Sequence, residues 1–434
     1  MHDIYESWGR YPKLKPSQIV KINWLDQIPD FSEINDKVLA YGLGRSYGDS
    51  CLNDNATLLD VAGLDRFITI DFEQGIIEAE AGVTLADILQ ISVPRGWFLS
   101  VTPGTKFVTL AGAVANDVHG KNHHVAGTFG NHVLSFELLR SDGSVLYCSP
   151  DENYDMFRAT IGGLGLTGLI TKVKIKLERI ASPFLAVDYI KFDNVDDFFE
   201  INDANDKRFD YTVSWVDCTS TGSRLGRGIY SGGNFTDAHN KDVKVKTSAP
   251  DFPFDYPFIN SFTVFLFNLL YYNKQFDKKV HQIVHYEPFF YPLDAVGHWN
   301  RAYGKAGFLQ YQFVVPHKNG KEAVKEILRN VAKSGLSSFL TVLKTFGDIK
   351  SPGMLSFPQP GITMAIDFRM TGSFTLSELN KLDDIVRANG GRLYPAKDAR
   401  MSSDDFKRFY PEWETFSQFI DPKFSSSFWR RVVK

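Results

Sequence analysis

The chain has 434 residues, which is more than one hydrophobic core usually organises, so we expect two domains. A formal net charge of −3 and the lack of a basic run exclude the electrostatic footprint of a nucleic-acid-binding protein. The three cysteines are far apart and odd in number, which argues against a disulfide framework and for a reducing compartment. The acidic N-terminal residues do not resemble a signal peptide, so we expect a cytoplasmic protein.

The first part of the chain predicts a mixture of strands and helices. Apolar alternation predicts strands, including one hairpin, and a capping box at Thr84 predicts the start of a helix. In chain order the predicted elements are Val38–Ala40, Arg66–Phe72 with Ile76–Ala81, Thr84–Val93, Asn153–Ile161 and Leu169–Ile180. This mixture is typical of an α+β fold.

From about Ala181 onwards the composition changes, because aromatic residues become dense and glycine motifs become rare. Period-two and helical apolar patterns predict a second domain made of a sheet and helices. Its predicted strands are Asp210–Val216, Gly307–Val315, Ser338–Leu343 and Thr363–Arg369, and its predicted helices are Lys321–Ser334 and Leu376–Ala388. Gly390 and Gly391 end the last of these helices, and a helical tail follows.

The longest apolar segment, Phe258–Tyr272, allows two interpretations. It is too short to span a membrane, which takes about 20 residues. Its length favours a buried helix. The alternative is an apolar flap that meets a lipid tail or a membrane surface, preceded by a loop rich in proline and aromatic residues at 251–257.

The glycines Gly163, Gly165 and Gly168 match the spacing of a dinucleotide-binding fingerprint. That fingerprint requires a strand before the glycines and a helix after them. Here the predicted order is the reverse, and no acidic residue follows at the distance that would bind a ribose. The spacing therefore indicates a tight turn from a helix to a strand.

Two other segments have the composition of phosphate-binding loops. Tyr41–Asp49 follows a short strand and combines glycines with a serine and an arginine, which can form a nest of N–H donors. Pro103–Thr105 and Thr109–Ala113 form a second set of small residues. Such a loop is by itself more often only a turn, but two of them can hold a diphosphate from opposite sides.

Several polar residues are candidates for chemistry at a reactive group. His119 and His123 have the spacing of two zinc ligands on a helix, but the nearby glycines and the lack of a glutamate argue against a metal, and we expect none. Gln310 and Gln312 share one face of a predicted strand. Other polar candidates are either surface residues or, if buried, groups with a shifted pKa; these are Lys344, Asp367 and Lys397.

At these residues the chain resembles a known family. Gly42–Asp49, Thr102–Thr105, Gly112–His132, Gly162–Ile170 and Ile420–Pro422 look like the vanillyl-alcohol-oxidase (PCMH) type of FAD-binding fold. The histidine-rich block within Gly112–His132 is similar to that of the decaprenylphosphoryl-β-D-ribose 2-oxidase family. The similarity extends to three later segments, Phe308–Phe313, Leu355–Pro358 and Gly391–Asp398.

The resemblance implies a two-domain α+β protein that contains FAD. Residues 1–180 plus 392–434 would form the FAD-binding domain, and residues 181–391 a substrate domain built on an antiparallel sheet. The residues that would line FAD are Tyr41, Gly42, Leu43, Gly44, Arg45, Ser46, Tyr47, Gly48, Asp49, Gly104, Thr109, Leu110, Ala111, Gly112, Asn116, Asp117, Val118, His119, Ile170 and Tyr394. The residues that would face the substrate or the flavin ring are Tyr47, His119, Gln310, Gln312, Lys344, Asp367 and Lys397.

The family oxidises the 2-hydroxyl of a polyprenylphosphoryl ribose to the 2-keto sugar, the first half of epimerisation to arabinose. The resemblance implies that Lys397 is the base or stabilises the alkoxide, that Tyr47 and His119 orient the sugar, and that Lys344 serves the phosphate or the ring hydroxyls. Because the first glycine loop has Arg45, Ser46 and Tyr47 where many relatives have a flavin-linking histidine, we expect non-covalent FAD.

The family further implies a partner keto-reductase of the short-chain dehydrogenase type and peripheral contact with the inner face of the plasma membrane. Two alternatives remain open. One is an aldonolactone or alditol oxidase that acts on a soluble sugar, although the C-terminal His-Trp-Gly-Lys run of those enzymes is missing. The other is a binding protein that has kept the fold without the flavin.

Overall fold

The computed structural model describes residues 5–238 and 249–434, and the strands it contains form three sheets. In chain order the strands are β1 (Gln18–Lys21), β2 (Val38–Tyr41), β3 (Thr57–Asp60), β4 (Phe67–Asp71), β5 (Ile76–Glu80), β6 (Trp97–Leu99), β7 (Val133–Leu139), β8 (Val145–Cys148), β9 (Leu169–Arg179), β10 (Phe184–Phe192), β11 (Tyr211–Val216), β12 (Gly228–Thr236), β13 (Lys279–His285), β14 (Phe308–Val315), β15 (Thr341–Phe346), β16 (Gly361–Arg369) and β17 (Arg392–Leu393). The α-helices are α1 (Leu85–Ser92), α2 (Leu110–Ala115), α3 (His123–Ala126), α4 (Tyr154–Thr160), α5 (Val195–Asn205), α6 (Ser261–Asn273), α7 (Tyr286–Phe290), α8 (His317–Ser334), α9 (Ser373–Ala388), α10 (Ser403–Phe409), α11 (Trp413–Ser417) and α12 (Ser427–Val432).

The N-terminal part contains two of the sheets. Strands β1, β3 and β2 form a small parallel sheet, and β4, β5, β9, β7 and β8 form an antiparallel one, with β6 also paired to β9. The predicted hairpin is confirmed as β4–β5. The predicted capping box is confirmed as well, because Thr84 and Asp87 exchange hydrogen bonds at the start of α1.

The predicted alternating strand is β9, whose apolar face is buried while the lysines on the other face remain partly exposed. Before it, α4 ends and a glycine-rich turn leads into the strand, so the helix-to-strand order inferred for Gly163–Gly168 is confirmed. Gly168 has φ +138°, and an added Cβ would lie 2.7 Å from the carbonyl oxygen of Leu139. The glycine therefore serves the close approach of β7 to the turn.

The second part contains one antiparallel sheet of eight strands in the order β13-β10-β12-β11-β15-β16-β14-β17. Helices α8 and α9 cover one face of it, and the apolar stripe predicted on α8, residues Val324, Ile327, Leu328 and Val331, is buried there. The strand predicted at Ser338–Leu343 is displaced, since β15 begins at Thr341. The reason is local: the Ser338 hydroxyl accepts from Leu340 N and donates to Leu340 O, which forms a turn. The strands β1, β3, β6, β7, β8, β10, β12, β13 and β17 were not predicted.

Helix α6 corrects the interpretation of Phe258–Tyr272 as a buried helix. Only the side formed by Val264, Asn268 and Tyr272 is buried. The other side exposes large apolar residues, including Phe262 at 73% and Leu270 at 63%. Among the residues that the structure describes, no helix is long and apolar enough to cross a membrane.

The C-terminal tail returns to the first part of the molecule. Val38 and Phe424 form a parallel bridge, and Ser427 N donates to Leu52 O. Helix α12 carries Arg431, which contacts both carboxylate oxygens of Asp49 at 2.7 and 2.9 Å. The division into an FAD-binding domain (1–180 plus 392–434) and a substrate domain (181–391) stays a proposal. Strand β17 begins at the boundary at residue 392 and pairs with β14, which belongs to the substrate part.

Candidate active site

The first glycine loop, Tyr41–Asp49, is held from behind by the segment that carries Lys397. Tyr47 N donates to Ala396 O at 2.9 Å. A Cβ on Gly48 would lie 1.6 Å from the carbonyl oxygen of Asp398, so a side chain there is excluded. Lys397 is thus positioned beside this loop by main-chain packing, although 350 positions separate Tyr47 from it in the sequence.

The two predicted phosphate-binding segments are in contact. A Cβ on Gly42 would lie 2.6 Å from Thr109 Oγ1, so the Thr109 side chain packs directly on the loop backbone only because position 42 is glycine. Thr109 caps α2 by accepting from Gly112 N at 3.2 Å. A Cβ on Gly104 would meet no atom within 4 Å, so open space lies beside that backbone. This pairing of glycine loops fits a bound diphosphate.

Arg45 supports the same fit. Its guanidinium lies 4.0 Å from the centroid of the Trp8 ring, and its buried Nε has no hydrogen-bond partner within the described ranges. Burial lowers the pKa of Arg45, but an arginine remains charged at neutral pH. A buried, incompletely paired cation beside glycine backbone is a suitable neighbour for an anionic cofactor.

Several predicted cofactor residues use their side chains to hold the fold together. The Tyr41 hydroxyl donates to Glu6 O, and Asp49 pairs with Arg431. Asp117 accepts hydrogen bonds from Gly130 N and from the hydroxyls of Ser351 and Ser356. Only the backbone of such residues remains available to a cofactor. Of the others, Leu110, Ile170 and Tyr394 are buried, and Ala111 and Val118 are partly buried against the apolar core.

Tyr394 joins the two parts of the site. Its hydroxyl donates to Asn116 O at 2.8 Å, and its ring stacks on Phe357 at 4.7 Å. The Asn116 amide, directly after the end of α2, in turn donates to Gly112 O within that helix. Tyr394 therefore fixes the second glycine segment against the chain that leads to Lys397.

Lys397 and Asp367 form the centre of the first polar cluster. Lys397 Nζ lies 3.7 Å from the centroid of the Tyr47 ring. Gln310 Nε2 donates to Asp367 Oδ1 at 2.6 Å. Burial raises the pKa of Asp367 to about 7 and lowers the pKa of Lys397 to about 7, the Asp367 charge opposing the second shift. Both groups are therefore able to exchange a proton near neutral pH.

His119 forms the centre of the second cluster. Gln312 Nε2 lies 3.0 Å from His119 Nε2, and because an amide nitrogen only donates, this imidazole nitrogen accepts. The ring lies among Phe346, Phe357 and Tyr394. Burial, and then the charge of Lys344, hold the pKa of His119 well below its usual value. The histidine is neutral at physiological pH.

The histidine-rich block joins the two parts of the protein. Its residues enter the gap between the diverging strands β11 and β15, which pair only at Ser214–Leu343 and Trp215–Val342. Lys121 O accepts from Thr212 N at 2.9 Å, and His124 Nε2 contacts Phe209 O at 2.8 Å. Within 5–238 and 249–434, no three His, Cys, Asp or Glu side chains are arranged to hold a metal.

Lys121 is a site residue that the sequence analysis missed. Its ammonium donates to Phe290 O at 3.0 Å, and burial lowers its pKa to about 7. Lys344 donates to Gly120 O at 2.6 Å, and burial followed by the Lys121 charge lowers its pKa to about 7. The sequence signal for Lys121 was its position between His119 and His123, in the most distinctive motif of the chain.

The structure places all seven predicted substrate-facing residues around one region. Strand register explains why the site residues of the large sheet lie together. Gln310 pairs with Asp367, Gln312 with Ala365 and Lys344 with Thr363, so their side chains share one face of that sheet. Tyr47, His119 and Lys397 approach this face from outside it. Leu43, Gly44 and Ser46 belong to the adjoining glycine loop.

Comparison with known proteins agrees with this geometry. Residues 29–149 match the family model described as FAD binding domain. The chain is 38% identical over 415 residues to decaprenylphosphoryl-β-D-ribose oxidase of Mycolicibacterium smegmatis, which covers 91% of this chain and 89% of that protein. The chain belongs to the decaprenylphosphoryl-β-D-ribose oxidase family. This membership makes it an FAD-dependent oxidoreductase of α+β fold.

Other relatives are more distant. An uncharacterised protein of Streptomyces coelicolor is 30% identical over 81% of this chain and over its own full length. L-gulonolactone oxidase of Mus musculus is 30% identical over only 33% of this chain and 32% of that protein. The similarity to lactone oxidases is therefore partial, whereas the similarity to the decaprenylphosphoryl-β-D-ribose oxidase family extends through both halves of the site.

Proposed function

We propose that the protein oxidises the 2-hydroxyl of a polyprenylphosphoryl-β-D-ribose to the 2-keto sugar, the first half of epimerisation to the arabinose form. The observation that carries this proposal is the cluster of Lys397, Asp367 and Tyr47 beside two touching glycine loops, in a chain of this family. Oxidation of a secondary alcohol removes a proton and a hydride. FAD, when bound, accepts the hydride.

The residues of the chain supply the proton chemistry and the orientation. Lys397 in its neutral form takes the proton of the 2-hydroxyl, and a pKa of about 7 makes that form abundant at neutral pH. Tyr47 and neutral His119 orient the sugar by hydrogen bonds. Gln310 and Gln312 contribute amides on the same face, and Gln310 also positions Asp367. The two glycine loops and Arg45 would hold FAD.

A row of packed aromatic rings joins the polar cluster to α6. Tyr47 contacts Phe308 at 5.4 Å between ring centroids, Phe308 stacks on Tyr303 at 4.2 Å, and Tyr303 adjoins Phe339. Phe339 then contacts Phe267 of α6 at 5.6 Å. Tyr303 and Phe308 are fully buried, so direct packing of rings connects the polar cluster to the exposed apolar face of α6. A prenyl chain that left the site would cover that face, which supports a lipid-linked substrate.

The exposed face of α6 also supports peripheral contact with a membrane. It combines with three aromatic residues of the preceding loop, and large exposed apolar patches on soluble proteins mark interaction sites. The apolar residues of the patch are Phe254, Tyr256, Phe258, Phe262, Phe265, Leu266, Phe267 and Leu270. We call these residues the α6 patch. They would meet the inner face of the plasma membrane, where a polyprenyl phosphate resides.

The cofactor is proposed to bind without a covalent bond. The first glycine loop offers no histidine or cysteine between Tyr41 and Asp49. Precipitation of the purified yellow protein with acid is expected to release all of its flavin into the supernatant, where absorbance measures it. Yellow colour that stays with the washed precipitate would contradict this prediction.

The substrate is tested by anaerobic mixing of the holoenzyme with farnesylphosphoryl-β-D-ribose while the flavin absorbance is followed. We expect rapid bleaching by the lipid-linked sugar and none by free ribose or by aldonolactones at the same concentration. The matched control is farnesylphosphoryl 2-deoxyribose, which lacks the reacting hydroxyl. Bleaching by soluble sugars alone would favour the aldonolactone or alditol oxidase alternative.

The product has a chemical consequence for partners. A 2-keto sugar on a polyprenyl phosphate becomes the arabinose form only after reduction from the opposite face. A keto-reductase of the short-chain dehydrogenase type is therefore the proposed partner, and its proximity at the same membrane would limit loss of the reactive ketone.

A further inference from the structure

Two buried-site lysines lack a counter-charge in contact. Lys121 donates only to Phe290 O and Lys344 only to Gly120 O, and within the part of the chain that the structure describes neither ammonium forms an ion pair. An ammonium has three N–H donors, so donor capacity remains at both. Burial lowers the pKa of each ammonium to about 7 in the protein alone, and an anion in contact with both would favour their protonated, charged forms.

The surroundings add unpaired N–H donors and no carboxylate in contact with either ammonium. The ring of His123 is 1% exposed, lies 4.4 Å from the Phe346 ring, and has no partner at either nitrogen within the described residues. His119 Nδ1 also has none there. The acidic group that acts on Lys121, Asp294, is not in contact with it and accepts instead from Lys106 N at 3.0 Å. This wall is suited to an anion.

We infer that Lys121 and Lys344 form the subsite for the phosphodiester of the substrate, an inference that rests on the proposed function. The position follows from connectivity, because the phosphate is attached to C1, directly beside the C2 hydroxyl that reacts. The anion must then lie within one sugar width of the base. The charges of Lys344 and Lys397 both lower the pKa of His119, so both lysines lie near one imidazole.

The phosphates of FAD are the other anions that Lys121 and Lys344 would bind. The glycine segments that suit a diphosphate meet at Gly42 and Thr109, and Arg45 belongs to that loop. Lys121 and Lys344 instead lie beside the large sheet, against Phe290 and Phe346. The position of the two lysines favours the substrate phosphate. The flavin content of the Lys121 variant distinguishes the substrate phosphate from the phosphates of FAD.

The test compares Lys121→Met with the wild-type holoenzyme on farnesylphosphoryl-β-D-ribose and on farnesyl β-D-riboside, which lacks the phosphate. Loss of one charge-assisted hydrogen bond is expected to raise KM for the phosphorylated substrate about 10- to 100-fold, and KM for the riboside by much less. Lys121→Arg should recover most of the loss because it keeps the charge. Lys318→Met, at an exposed position of α8, is the matched control.

A second readout does not depend on turnover. Calorimetric titration of the holoenzyme with farnesyl phosphate is expected to show binding that Lys121→Met weakens by a similar factor, with equal flavin content. Equal effects on both substrates, unchanged affinity for farnesyl phosphate, or loss of flavin from the variant would each overturn the subsite. If no sugar bleaches the wild-type flavin, the proposed function fails, and the titration with farnesyl phosphate still tests the subsite. If Lys121→Met does not fold, Lys121→Gln replaces it in both assays.

Discussion

Replacement of Lys397 by methionine is expected to lower the rate of flavin reduction by substrate about 1,000-fold while FAD stays bound, since a positioned general base contributes on the order of 100- to 10,000-fold. Methionine keeps the volume of the aliphatic stem that lies against the Tyr47 ring, so the packing there is largely retained. Rapid mixing under anaerobic conditions measures the rate, and the visible spectrum measures bound flavin.

The control for this experiment is Lys318→Met, which removes an exposed lysine and should reduce flavin at the wild-type rate. Normal reduction in Lys397→Met would remove the residue from the proton chemistry. Loss of flavin together with loss of rate would instead assign Lys397 to cofactor binding, which is a different role from the one proposed.

The pH dependence has a definite sign. The base form of Lys397 is the neutral one, and burial lowers its pKa to about 7, so kcat/KM should rise with pH through about 7 and level off above it. The ionised Asp367 favours the protonated lysine, hence Asp367→Asn should move the midpoint to lower pH. Because the two groups are coupled, the measured midpoint belongs to the pair. A midpoint near that of an ordinary lysine, about 10, would contradict the assignment.

The second large effect concerns the α6 patch. The triple variant Phe262→Ser, Phe265→Ser and Leu270→Ser is expected to weaken partition onto phosphatidylcholine vesicles by about 100-fold or more, since each large apolar side chain contributes about 1.5 kcal/mol or more when fully buried. The three side chains are exposed in the free protein, so the melting temperature should change little. Vesicle flotation measures the partition.

The matched control for the patch is Phe374→Ser, which removes an equally exposed aromatic residue from the start of α9. It should leave vesicle binding unchanged. The triple variant should also raise KM more for a long-chain polyprenylphosphoryl ribose than for the farnesyl substrate. Equal vesicle binding by wild type and triple variant would show that the face meets something other than lipid.

The elements that the sequence predicted correctly have local causes. The Thr84–Asp87 capping box, the β4–β5 hairpin and the apolar stripe of α8 depend on residues within a few positions of one another. The same holds for the glycine turn before β9, which was correctly separated from a dinucleotide fingerprint. Turn chemistry also explains the error at β15, where the Ser338 side chain competes with strand pairing.

The candidate site residues came from motif resemblance, and the residues alone left Lys344, Asp367 and Lys397 open between surface and function. Burial decides that question, and burial is a property of long-range packing. Asp367 has a raised pKa because it is buried in β16 between β14 and β15, and the hydrogen bonds from Gln310 and Tyr303 only oppose that shift. Nothing within a few residues of position 367 reports those neighbours.

Taken by itself, the sequence determined the α+β class, the two glycine loops and the family, because propensities, turns and motifs are written in neighbouring residues. Tertiary structure alone decided three further matters: that the histidine block enters the gap between β11 and β15, that Lys121 and Lys344 come close to each other there, and that α6 exposes its apolar side. The physical reason is that sheet register and domain packing determine which charged groups are buried and which apolar faces remain exposed to solvent.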